Sequence, residues 1–144
     1  MKISVVEKFY EILEHTADIR IRVRAKELKT LFTRSARAMF DIIAEKKSGS
    51  GAKKVELAID QKAENLEELL INWLNELLSL SSARGLVFSK FKIKSFCENS
   101  LKARVQGEKA KNYKINKEIK AATYHQLQIT KDGIGWKTEV IFDV

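Results

Sequence analysis

In the stretch Glu14-His15-Thr16-Ala17-Asp18-Ile19-Arg20-Ile21-Arg22-Val23-Arg24, apolar Ile19, Ile21 and Val23 alternate with three arginines. A period of two sets one side of a strand against a core and the other in water. Residues from about Lys8 to Glu14 alternate more loosely, so two strands flank a five-residue corner, Glu14 to Asp18. A corner between strands needs only Gly, Asn or Ser. This one holds two acids, an imidazole and a hydroxyl. Either Thr16 and Asp18 bond nearby backbone amides while His15 lies half buried, or the corner presents groups that bind a ligand or handle a proton.

Outward from the corner the period changes to that of a helix. Leu28, Leu31, Phe32, Ser35, Met39, Phe40 and Ile43 share one stripe, with Lys29, Arg34 and Arg37 off it, which predicts an amphipathic helix of about four turns. Lys46 and Lys47 then suit the negative end of its dipole. Lys46 to Ala52 contains two serines and two glycines and reads as a helix-to-strand loop. Val55, Leu57 and Ile59 give another half-buried strand. Leu66, Leu69, Leu70, Trp73, Leu74, Leu77 and Leu78 repeat at spacings of three and four, the most regular pattern in the chain. Asn65 is placed to cap this second helix, Glu67 and Glu68 to meet its positive end, and Gly85 to end it in a left-handed conformation. Trp73 reads as packing, and Asn72, Asn75 and Glu76 as a polar flank.

The last third reads as antiparallel strands: a hairpin turning at Glu98-Asn99-Ser100, a lysine-rich loop over 107–117, a strand over 118–130 holding Tyr124 and His125, and a final strand over 135–144 entered through Lys131-Asp132-Gly133. Together these predict one α+β domain over residues 1–144, an antiparallel or mixed sheet covered on one face by two amphipathic helices, in two layers. Arg20, Arg22 and Arg24, Lys90, Lys92 and Lys94, and Lys102 and Arg104 alternate with core positions. If their strands share a sheet, they form a basic slab on the face away from the helices. The same charges also discourage edge-to-edge aggregation.

With 144 residues, no proline and a net charge of +8 from 27 basic and 19 acidic side chains, the chain is long enough for a core without staples and favours polyanions or acidic surfaces. The single cysteine, Cys97, has no partner for an internal disulfide. The first residues break their apolar run with Glu7, and no stretch approaches the roughly 20 apolar residues of a membrane span. A soluble cytoplasmic protein without membrane contact is expected.

The sequence contains no nucleotide-binding glycine loop, paired-cysteine zinc pattern or nucleophilic serine elbow. His15 and His125 fall short of the three ligands of a catalytic zinc. A second constellation involves Asp18, Asp143 and the main-chain or terminal oxygen of Val144. If the first and last strands are neighbours, these oxygens converge and suit a hard cation.

Glu14-His15-Thr16-Ala17-Asp18, the helix Leu66-Glu67-Glu68-Leu69-Leu70-Ile71-Asn72-Trp73-Leu74-Asn75-Glu76-Leu77-Leu78, the run Glu118-Ile119-Lys120-Ala121-Ala122-Thr123-Tyr124-His125 and the ending Phe142-Asp143-Val144 together resemble the archease family, in order, from about Phe9 to Val144. The resemblance implies an accessory protein rather than a stand-alone enzyme. Archeases assist the RtcB-type RNA-splicing ligase, which joins tRNA halves and repairs broken RNA after being charged with guanylate from GTP, and they promote that guanylylation and multiple turnover. By the family pattern Asp18, Asp143 and Val144 form a divalent metal site, with calcium the expected ion. His15 lies beside it, and Lys120 and His125 are accessory to the metal or to the ligase. The chain departs from the family at Arg20, where Gly is usual, in the loop before Glu118, and in being basic. Two further readings differ in class: an RNA-binding or chaperone-like module using the basic sheet face on tRNA or other RNA, and a metal-dependent hydrolase built on His15, Asp18 and His125.

Overall fold

The computed structural model describes residues 9–14, 18–47 and 53–144. His15, Thr16 and Ala17 of the corner and residues 48–52 of the glycine-serine loop lie outside them. Strands β1 (Tyr10–Glu14) and β2 (Asp18–Ala25) precede helix α1 (Leu28–Ile43), which leads into β3 (Ala44–Lys46) and β4 (Val55–Lys62). Helix α2 (Leu66–Arg84) is followed by β5 (Leu86–Cys97), β6 (Ser100–Lys109), a 3-10 turn (Ala110–Asn112) and β7 (Tyr113–Ile115). Short strands β8 (Ala121–Thr123) and β9 (Ile129–Lys131) and the longer β10 (Trp136–Asp143) complete the described chain.

The α+β class expected from periodicity is the one observed. The strands, however, divide among three sheets. In the five-stranded sheet the order is β1-β2-β10-β8, and β9 pairs with β10 end to end with β8. A three-stranded sheet has the order β4-β6-β5, and β3 pairs with β7 alone. Ile21, Val23, Val140 and Phe142 turn inward from β2 and β10, and Leu101, Ala103 and Val105 from β6, into one core shared with both helices. Because α1 touches both large sheets, its buried stripe is wide and takes in Ala36 and Ala38 beside Leu31, Phe32, Met39 and Phe40.

The basic slab is therefore divided. The arginines of β2 lie on the five-stranded sheet, whereas the lysines of β5 and the Lys102 and Arg104 of β6 lie on the three-stranded one. Strand alternation fixes which face a residue takes, but not which strands share a ladder.

Local signals of α2 appear as expected. Asn65 Oδ1 accepts the Glu68 N–H at 2.8 Å, and Glu68 reaches back to the Glu64 N–H at 2.6 Å, a variant of the capping box. Gly85 takes φ 64° and its N–H bonds the Ser81 carbonyl. Trp73 is fully buried, and its indole N–H donates to the Phe32 carbonyl at 3.0 Å, tying α2 to α1.

Three elements differ from expectation. Lys46 lies in β3, past the end of α1, and meets Glu108 at 2.7 Å rather than the helix dipole; the buried Glu108 carboxylate draws the cation. The region read as a loop over 107–117 continues β6 to Lys109 and then forms β7. At Gly107 an added Cβ would stand 2.5 Å from the Val87 carbonyl, so only glycine admits that close passage. The strand expected over 118–130 is broken into β8 and β9 by a turn at Tyr124 to Leu127, where Leu127 N–H bonds Tyr124 O and Gln126 takes φ 55°.

Replacing Trp73 by Phe removes buried volume and the indole N–H that adds a second donor to the Phe32 carbonyl. Urea unfolding is expected to show a loss of about 2–4 kcal/mol. Ile134→Ala, at a side chain 81% exposed, is expected to stay within about 0.5 kcal/mol of wild type.

Candidate functional site

β2 and β10 run antiparallel from the Trp136–Ala25 rung to the Asp143–Asp18 rung. Directly opposed residues share a face, with Cβ atoms about 4.5–5.5 Å apart, and like charges so placed repel. The chain thus sets two carboxylates side by side at one end of its longest-range pairing. The next strand is held at the same end, because the Lys120 N–H donates to the Asp143 carbonyl at 2.8 Å. That carbonyl is engaged, and Val144, half-buried against the core, follows it.

Along the same outward face the rungs continue as Ile141–Arg20, Glu139–Arg22 and Lys137–Arg24. Glu139 accepts from Arg22 at 3.0 Å and from Arg20 at 3.3 Å. The Arg22 hydrogen bond, with help from Arg20, holds its carboxyl below the ordinary glutamate range against a smaller opposing effect of burial. Arg22 also meets Glu11 at 3.4 Å, and Arg24 lies 3.7 Å from Asp132. Asp132 is itself held low by the backbone N–H groups of Ile134 and Gly135. Above this face stands the turn between β8 and β9, and the two enclose a cleft of about 380 Å³ lined by the three arginines, Lys137, His125 and Gln128 among others.

α2 holds that turn in place. The Asn75 side chain accepts the Ala122 N–H at 2.8 Å and donates to the Ala122 carbonyl at 3.1 Å, acting as one rung of a strand. Glu67 accepts the Ile129 N–H at 3.1 Å. Glu68 sits against Tyr124, whose hydroxyl pKa is raised by burial first and by the Glu68 charge and hydrogen bond second. Reading Asn75 as a polar flank missed this role. Its only signal in the sequence was an amide beside a leucine stripe, since the partner lies 47 residues away.

The residues singled out from sequence are brought together in part. Asp18 and Asp143 share a rung, with Val144 and the Lys120 amide beside them. His125 lies in the cleft wall further along the face, and His15 lies outside the described residues. Among the described residues no group of three or more His, Cys, Asp or Glu side chains could hold a metal ion. Two carboxylates with main-chain oxygen form an all-oxygen donor set, which suits calcium or magnesium completing its shell with water and does not suit zinc.

Fold and site define a small α+β protein whose outward sheet faces carry its charged groups. The chain belongs to the archease family: the model of the archease protein family (MTH1598/TM1083) matches residues 10–144. Among its relatives, the archease of Methanosarcina barkeri is 40% identical, with 95% of this chain and 97% of that one aligned. The archease of Pyrococcus furiosus is 37% identical over 94% and 98%. The solution structure of Methanobacterium thermoautotrophicum protein 1598 superposes with a TM-score of 0.72 at 26% identity, covering 95% of this chain and 99% of that one. The crystal structure of a Thermotoga maritima archease, described as a possible chaperone, gives 0.65 at 25% identity over 92% and 94%. No described helix is long and apolar enough to cross a membrane.

Asn75→Ala leaves both backbone groups of Ala122 without their partner. Hydrogen exchange is expected to show Ala122 and Ile129 losing protection ahead of β2 and β10, with global stability lower by about 1–3 kcal/mol. Because the Glu139 carboxyl is depressed, its stabilisation is present above about pH 4.3 and is lost as pH falls through the folded value. Glu139→Gln should therefore melt below wild type at neutral pH, and the gap should close on acidification; a gap independent of pH would refute the assignment.

Proposed function

We propose that this protein works in the cytoplasm as an activator of an RtcB-type RNA-splicing ligase, promoting the ligase's guanylylation with GTP and its multiple turnover in tRNA splicing or RNA repair. Family membership supports the reading, and the opposed carboxylates of Asp18 and Asp143 carry it. Two like charges on one rung repel, and a shared cation relieves that repulsion. In this reading Asp18, Asp143 and a Val144 main-chain oxygen hold a divalent cation, calcium by preference, which supplies positive charge beside the ligase's triphosphate. Asp18 and Asp143 set its position from two strands joined by a continuous ladder. Lys120, whose amide is bonded at the same strand end, contacts a phosphate in this reading, and His15 and His125 are accessory to the metal or to the ligase. The protein itself needs no nucleophile, because the bond-making belongs to the ligase.

In a guanylylation assay with a cognate ligase, Asp18→Ala and Asp143→Ala variants that melt normally are expected to stimulate at most about one-tenth as well as wild type, a loss near 1.4 kcal/mol. Undiminished stimulation by either folded variant would overturn the reading.

One observation favours a second reading, an RNA-binding or chaperone-like module. Lys102 and Arg104 face Asp60 at 3.9 Å and Glu56 at 3.3 Å, whereas Lys90, Lys92 and Lys94 make no ion pair among the described residues. Phosphate contacts by that row predict salt-sensitive RNA binding by the isolated protein. Changing all three to Gln should flatten the log-log salt dependence by up to about two to three units of slope. An unchanged slope would exclude this surface.

A further inference from the structure

The side chain of Arg20 is only half used. Its Nη1 donates to Glu139 at 3.3 Å, but its buried Nε–H finds no acceptor among the described residues. A buried donor without a partner is costly, and a buried donor of a charged group more so. The donor borders the cleft between the outward face of β2 and β10 and the turn after β8. In the cleft wall the cations of Arg20, Arg22, Arg24 and Lys137 face the single carboxylate of Glu139, while Glu11 and Asp132 meet Arg22 and Arg24 from outside it. Gln128 and Thr130 add neutral hydrogen-bonding groups to the rim, and Ile141 supplies an apolar patch. A volume near 380 Å³ is that of a small-molecule site.

We propose that this cleft binds the phosphate group of a small molecule, with Arg20 Nε donating to a phosphate oxygen and Arg24 and Lys137 completing the charge. Guanidinium groups suit such oxyanions because their donors lie in a fixed fork. The one aromatic ring in the cleft wall among the described residues is the imidazole of His125, against four cationic side chains, so the charge favours the phosphates as the recognised group. Pyrophosphate and the phosphate chain of a nucleotide offer the same chemistry. The cleft begins on the rung next to Asp18–Asp143 along the same face, uses neither of the two aspartates, and does not depend on the ligase.

The test uses the isolated full chain in EDTA and phosphate-free buffer, so a failure of metal binding or ligase activation does not affect it. Calorimetric titrations compare orthophosphate, pyrophosphate, GTP and guanosine. Saturable binding of pyrophosphate or GTP is expected below about 1 mM, weakened about tenfold or more by Arg20→Gln. GTP binding well tighter than pyrophosphate would assign the site to a nucleotide, and equal affinities to the polyphosphate group alone. In the unmodified protein the Arg20 Nε–H resonance is expected to shift on adding pyrophosphate, a readout that survives even if the variant fails to fold. No saturation by any phosphate, guanosine binding as tightly as GTP, or an unmoved Arg20 Nε–H would overturn the proposal.

Discussion

The pairing of β2 with β10 is the constraint on which the rest depends. It joins residues more than a hundred positions apart and closes them in one register from Ala25–Trp136 to Asp18–Asp143. On its inner side it aligns Ile21 and Val23 with Val140 and Phe142, all fully buried. On its outer side the same register brings Glu139 between Arg20 and Arg22 and sets the two aspartates on one rung. Because side chains alternate with a period of two, a slip of one residue would expose the apolar row and bury the charged one. The core thereby enforces the register that the charged face uses.

The edge of that sheet is completed with side chains. Strands β8 and β9 have three residues each and could not hold their place by pairing with β10 alone. Asn75 and Glu67, about two helical turns apart on α2, bond their backbone groups directly. The helix that anchors the core thus also positions the turn carrying His125 over the charged face. Core packing and the shape of the cleft share one element, so loosening α2 should be felt at both.

Much of the fold could be read from the chain because it is locally encoded. The alternation of Ile19, Ile21 and Val23, the leucine repeat of α2, the Asn65 cap and the Gly85 stop each depend on neighbours a few residues away. Which strands share a sheet does not. The arginines of β2 and the lysines of β5 have the same pattern and lie on different sheets. The break at Gln126, the pairing of β3 with β7 and the capture of Lys46 by Glu108 are likewise set by distant partners. The meeting of Asp18 with Asp143 turned on a single topological condition, and it is met by β10 pairing with β2 while β1 takes the outer edge. The Arg20–Glu139–Arg22 network required the register itself, and Asn75 required knowing what lay across from it.

The proposed cation site requires the β2–β10 register to make Asp18 and Asp143 act as one pair of ligands. Calcium titration by calorimetry of the wild type, Asp18→Asn, Asp143→Asn and the double variant tests it as a thermodynamic cycle. Shared ligation predicts that either single change costs nearly as much affinity as both together, with a coupling of about 1 kcal/mol or more. Losses that simply add, or calcium affinity unchanged in the double variant, would contradict it.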